Sequence, residues 1–104
     1  QGGTDIFRYT SSLDSAVGSG DVINDFDATN NSEDIFLDGL LSGTFGFLGA
    51  SSVAFNGAGN TEARFDDATH LLQIDVTGNG TADMEITLSN VSLSSLDIND
   101  FTVT

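Results

Sequence analysis

Alternation with a period of two is the feature that most restricts what this chain can become. From Gln73 to Leu88 it reads QIDVTGNGTADMEITL: Ile74 and Val76 alternate with Asp75, a glycine-rich turn follows, and Met84, Ile86 and Leu88 alternate with Glu85 and Thr87. Successive side chains of a strand point to opposite faces, so this pattern predicts a hairpin with one buried face. Strand-sized segments of the same kind recur at Asp5–Thr10, Asp21–Phe26, Asp34–Leu37, Phe45–Leu48, Val53–Phe55, Thr61–Phe65, His70–Val76 and Phe101–Val103, with the second arm of the hairpin at Asp83–Leu88. Clusters of Gly, Ser, Asn and Asp separate them as turns. Many short strands at near-regular spacing predict an all-β sandwich or roll. One short helical turn is expected at Ser94–Asp97, where Ser94 can cap backbone donors. At 104 residues the chain makes one domain with a modest core.

Charge limits the partners. Sixteen Asp and Glu stand against Arg8 and Arg64, for a formal net charge of -14. Self-repulsion on that scale opposes compaction unless something positive relieves it. The charge disfavours nucleic acid and anionic membrane surfaces as partners, because phosphate binding rests on clustered Lys and Arg. Divalent cations fit instead. With no cysteine there is no disulfide framework, and no apolar run is long enough to span a bilayer. The start at Gln1-Gly2-Gly3 carries no basic or apolar leader, and reads as part of a longer chain.

Two places gather oxygen ligands. Asp21 and Asp25 lie four apart, so an extended strand points both to one face, where two carboxylates gain nothing from each other without a cation. The polar stretch Asp27–Glu33 follows as a loop. In the hairpin turn, Asp75, Thr77, Asn79 and Asp83 recur around Gly78 and Gly80 at the spacing of an EF-hand-type loop. The twelfth position is Ile86 where a bidentate Glu belongs, with Glu85 one place early, so any calcium held there binds weakly, at about the millimolar affinities of extracellular modules. Asn-Gly is also a strong tight-turn signal, and the hairpin reading is the favoured one; Asp75 and Asp83 then satisfy turn amides.

Taken together, GGTDIFRY, DVINDF, EDIFLDGL, GNTEARFD, LLQIDVTGNGTADMEITLSNV and NDFTVT resemble the C-terminal domain that follows the glycine-rich nonapeptide repeats of RTX proteins, best known from the serralysin metalloproteases. The most specific parts are D-x-I-x-D-F at Asp21–Phe26 and D-x-x-G-x-G-x-A-D at Asp75–Asp83. The resemblance implies the end of a parallel β-roll packed on or continuing into an antiparallel β-sandwich, with calcium held between turns. It also implies a secreted, extracellular bacterial protein, exported by type I secretion machinery through a C-terminal signal, to which Asp100, Phe101 and Val103 correspond. Gly3, Asp5 and Phe7 match the fourth, sixth and eighth positions of the nonapeptide, so residues 1–104 are expected to begin inside the last repeat, with further repeats and a catalytic or adhesive domain upstream. By the same resemblance, the calcium ligands are Asp5, Asp21, Asp25 and Asp34; the EF-hand-type spacing offers Asp75, Asn79 and Asp83 as a second, less favoured set. The chain departs from the usual D-K-I-D-L-S at Glu33–Asp38, where Phe36 replaces the second Asp. No H-E-x-x-H zinc helix is present, so protease activity does not carry over.

Catalysis has little behind it. His70 is the one histidine and reads as a surface residue at a strand start, and serines and aspartates are too abundant for a triad match to mean anything. Phe26, Phe47, Phe55, Phe65 and Phe101 read as core. The expectation is a non-catalytic, calcium-binding module that folds on extracellular calcium. The alternative is a polysaccharide-binding or adhesive appendage, which needs an exposed aromatic row; Phe7 and Tyr9 are its early candidates. A further alternative, an independent hydrolase, would rest on His70.

Overall fold

A computed structural model describes residues 6–24, 26 and 34–104 of the chain. Eight strands are found there: β1 Ile6–Tyr9, β2 Asp21–Ile23, β3 Asp34–Leu37, β4 Phe45–Ala50, β5 Thr61–Asp66, β6 Leu71–Asp75, β7 Met84–Leu88 and β8 Phe101–Val103. They form two sheets, a three-stranded one in the order β1-β3-β8 and a five-stranded one in the order β2-β7-β6-β5-β4. The chain winds from β1 in the first sheet to β2 in the second and back to β3, so that β1, β3 and β8 run parallel. Strands β5, β6 and β7 then form an antiparallel meander, which β2 and β4 flank in parallel. The fold is all-β, a roll-like winding that continues into a sandwich.

The alternation sets the core. Ile35 and Leu37 from the small sheet, and Phe65, Leu72, Ile74, Met84, Ile86 and Leu88 from the large one, are fully buried in a single cluster. Each such side chain contributes about 1.5–3 kcal/mol of burial. At the far end, Phe45 and Phe47 of β4 pack their rings on Phe101 of β8, with centroids 5.5 and 5.4 Å apart, and so join the two sheets.

Two expectations differ. Val53–Phe55 forms no strand, because Val53 is taken up by a turn and by Arg64, and the residue after the segment by Glu62, rather than by a neighbouring strand. The Val53 N–H closes a turn on the Ala50 carbonyl, the Val53 carbonyl accepts from the Arg64 guanidinium, and the N–H of Asn56, just past the segment, goes to the Glu62 carboxylate. Where the sequence predicts one helical turn, the described residues hold three short 3-10 turns, at Ser12–Ser15, Leu93–Ser95 and Ile98–Asp100. The first and third have reciprocal side-chain caps, Ser11 with Asp14 and Asp97 with Asp100. Both capping boxes use Asp in place of the more usual Glu, which hides them from a sequence scan.

Candidate functional site

The acids decide what this domain can hold, and most of them are turned toward the backbone. Asp14, Glu62, Asp66, Asp67, Asp75, Asp83, Glu85, Asp97 and Asp100 each accept at least one backbone N–H. Such charge-assisted bonds stabilise a carboxylate and the turn donating to it without any cation. Asp38 instead pairs with Arg8, whose guanidinium holds its carboxyl below the usual range. Asp21 and Asp34 do neither among the described residues. They open β2 and β3 respectively; of the acids outside the described residues, Asp5 precedes β1, Asp25 and Asp27 follow β2, and Glu33 precedes β3 in sequence.

Asp21 is exposed at the mouth of a cavity of about 560 Å³ between β1 and β2, lined by Phe7, Tyr9, Asp21, Val22, Ile23 and Asn24. Its position is fixed from below. Fully buried Ser15 accepts the Asp21 N–H at 2.8 Å and donates its own hydroxyl to the Glu85 carbonyl of β7 at 2.5 Å. One carboxylate oxygen of Asp21 accepts the Tyr9 hydroxyl at 3.1 Å. Burial first, then the Asp21 charge and this hydrogen bond, push the Tyr9 phenol far above the usual tyrosine range. The partnership of Tyr9 and Asp21, twelve residues apart across a turn, leaves no spacing signal in the sequence. Asp34, half-buried beside Ile6 of β1, is raised by burial, against a hydrogen bond from Thr102. Asp5 and Asp25 of the predicted set lie outside the described residues, and among those described no three His, Asp or Glu side chains converge as metal ligands.

The hairpin has a different geometry. Asp75, fully buried, accepts the Gly78 and Asn79 N–H groups on one oxygen at 2.9 and 3.3 Å, and the Gly80 N–H on the other at 2.8 Å. Asp83 accepts from the N–H groups of Val76 and Thr77 at 2.9 and 3.2 Å. The Asn79 side-chain oxygen takes the Thr81 N–H at 3.0 Å. Gly78 and Gly80, at φ +74° and +92°, let the turn curl inward. These oxygens aim at the turn's own amides, so Asp75, Asn79 and Asp83 do not fit a calcium ion as they stand. Asp21 differs: it is an exposed hard-oxygen donor whose carboxylate accepts, among the described residues, only the Tyr9 hydroxyl.

Over this arrangement lies a sequence match. The family model for the peptidase M10 serralysin C-terminal domain matches residues 1–103. The chain belongs to the serralysin C-terminal family. Members of this family are non-catalytic modules of M10 proteases, associated with RTX calcium binding and with secreted proteins. No curated protein matches the chain. Among the described residues, no helix is long and apolar enough to cross a membrane.

Other expected features of the serralysin-like domain settle locally. His70 is half-buried at φ 59°, its Nδ1 at 2.8 Å from the Val91 carbonyl, which fixes the proton on that nitrogen and ties the β5–β6 turn to the loop after β7. Tyr9 is buried, and Phe7 is half-buried with its ring 5.8 Å from that of Phe26, so the two form no exposed aromatic row. Phe26, Phe65 and Phe101 are buried, Phe47 packs on the core from β4, and Phe55 lies half-buried under the Arg64 guanidinium at 4.2 Å.

Proposed function

We propose that this domain is a non-catalytic calcium-binding module of a secreted bacterial protein, which folds when it meets extracellular calcium after type I export. The observation that carries the reading is the division of labour among the acids. Backbone amides serve nine of the described ones and Arg8 a tenth, whereas Asp21 and Asp34 open β2 and β3, with Asp25, Asp27 and Glu33 close to them in sequence and Asp5 just ahead of β1, the strand that pairs with β3. Arg64 relieves none of them, being engaged by Gln73, the Val53 carbonyl and the Phe55 ring. Calcium takes six to eight oxygen ligands, and its charge offsets the repulsion that gathering these carboxylates creates.

The ligand set we favour is Asp5, Asp21, Asp25 and Asp34, with Asp75, Asn79 and Asp83 as the internal frame of the hairpin. In a compartment poor in free calcium, repulsion keeps the chain extended and suited to export. Outside, binding to the folded form alone adds about 2.7 kcal/mol for one site at 100 times Kd. That is a large share of the 5–15 kcal/mol typical of a domain. Family association with RTX calcium binding and secretion supports this reading. The parent chain would supply upstream repeats and the catalytic or adhesive domain.

Calorimetric calcium titration tests the assignment. Asp21→Ala combined with Asp25→Ala should weaken calcium binding far more than Asp75→Ala combined with Asp83→Ala. Equal losses from the two pairs would overturn it.

A further inference from the structure

The chain holds two Asn-Gly pairs, Asn56-Gly57 and Asn79-Gly80, and the fold packs them against each other: a Cβ built on Gly57 would stand 3.7 Å from the Gly80 Cα. Asn followed by Gly is chemically labile, because the glycine N–H, with no side chain beside it, can reach the asparagine side-chain carbonyl. Both asparagine side chains are hydrogen-bonded, Asn56 through its Nδ2 to Glu62 and Asn79 through its oxygen to Thr81, and the two pairs differ at the attacking glycine nitrogen. The Gly80 N–H is bound at 2.8 Å to Asp75, and the Asn79 side-chain oxygen is occupied by the Thr81 N–H. Withdrawing the Gly80 proton would break a charge-assisted bond and set a nitrogen anion against a buried carboxylate. The Gly57 N–H has no acceptor among the described residues, Gly57 is exposed at φ +65°, and Asn56 is exposed too.

We propose that Asn56 is the position at which the folded domain deamidates, and that Asp75 holds the equivalent Asn79-Gly80 pair unreactive. The Gly57 nitrogen gives up its proton and attacks the Asn56 Cγ. A new N–Cγ bond forms, the bond from Cγ to Nδ2 breaks, and ammonia leaves with the proton, giving a succinimide. Water then opens either carbonyl of the ring to aspartate or isoaspartate, with no change of oxidation state.

The product matters because of what Asn56 holds. Its N–H and Nδ2 both donate to the Glu62 carboxylate, at 2.8 and 2.5 Å, and Glu62 is 5% exposed. An aspartate side chain there is acceptor-only and repels Glu62, so the 51–60 loop loses one of its bonds to β5 and the backbone bond beside it weakens, while Arg64 still holds Val53 and Phe55. Isoaspartate adds a backbone carbon to the same clamp. The secreted protein would thus carry a slow chemical timer whose end point is a loosened loop.

Ageing the intact folded protein at mildly alkaline pH, followed by chymotryptic mapping with fragmentation that separates aspartate from isoaspartate, tests this. While folded, Asn56 should convert about tenfold or more faster than Asn79, the factor expected from one charge-assisted hydrogen bond. In urea the two rates should converge. Asn56→Gln should abolish the early mass increase, and aged wild-type protein should melt below fresh protein. Equal rates in the folded state, a faster Asn79, or no conversion of Asn56 while the urea sample reacts fully would each overturn the proposal.

Discussion

Replacing Asp75 by alanine should test whether the hairpin carboxylate serves the turn or a metal. Three amides converge on it, from Gly78, Asn79 and Gly80, and Asp75 itself is fully buried. Hydrogen bonds to a charged group are worth about 1.5–3 kcal/mol each. The three losses do not add in full, because Asn79 and Gly80 are exposed and water can replace their partner, whereas Gly78 is buried beneath the 51–60 loop. The expected cost is about 3–4 kcal/mol, mostly from the buried Gly78 amide, with smaller shares from Asn79 and Gly80. In a domain of this size, each kcal/mol lowers the melting temperature by about 4–8 °C, so the fall should be about 12–30 °C. Urea unfolding in saturating calcium should show a lower midpoint with an unchanged slope. Calorimetry on the same variant should find the calcium stoichiometry of the wild type. A cost below about 1 kcal/mol, or the loss of one bound calcium, would refute the reasoning.

The remaining expectations concern single groups. Tyr9 is the one tyrosine in a chain without tryptophan, so its phenolate absorbance can be followed directly. Burial and Asp21 raise its pKa, so the folded state keeps a proton that the unfolded state sheds near pH 10; stability is complete below that pH and declines as pH climbs through the raised value. Asp21→Asn should bring the absorbance step to lower pH, and so should saturating calcium if the ion sits on Asp21. Arg8 depresses the pKa of Asp38, so that pair stabilises the fold above the ordinary value of 3.8 and its help disappears as pH drops through the depressed one. Arg8→Gln should therefore flatten the acid limb of a plot of melting temperature against pH. Gly78→Ala would set a Cβ 2.3 Å from the Asn60 nitrogen at a φ of +74°, and should cost about 3 kcal/mol or more in urea unfolding, as steric overlap and backbone strain combine.

Much of the fold is legible in the alternation. Eight of the segments it marks are strands, and their apolar positions, such as Ile35, Leu37, Ile74, Met84 and Ile86, face the core. Strand direction is not legible in the same way. Nothing in FLGA or DVI tells that β4 and β2 flank an antiparallel meander in parallel, since that follows from how the chain crosses between sheets. Val53–Phe55 alternates as a strand should, yet Arg64 takes the Val53 carbonyl and Glu62 takes the N–H of Asn56 just beyond, contacts that no local pattern encodes. At the candidate site, the regular spacing of Asp75, Asn79 and Asp83 suits a turn filling its own amides as well as it suits a cation cage. Spacing cannot separate the two, because both need oxygens at alternate positions. Only the direction of each carboxylate does. The Ser15 and Tyr9 contacts that fix Asp21 join β1, the 3-10 turn, β2 and β7, and no local pattern encodes them.

Thermal unfolding against free calcium, read by far-ultraviolet circular dichroism, puts the main claim to its most direct test. A folded form that alone gathers Asp21, Asp34 and their acidic neighbours around calcium should melt at temperatures that rise with the logarithm of calcium concentration, and should lose its β signal in EDTA. An identical melting curve in EDTA and in millimolar calcium would contradict it.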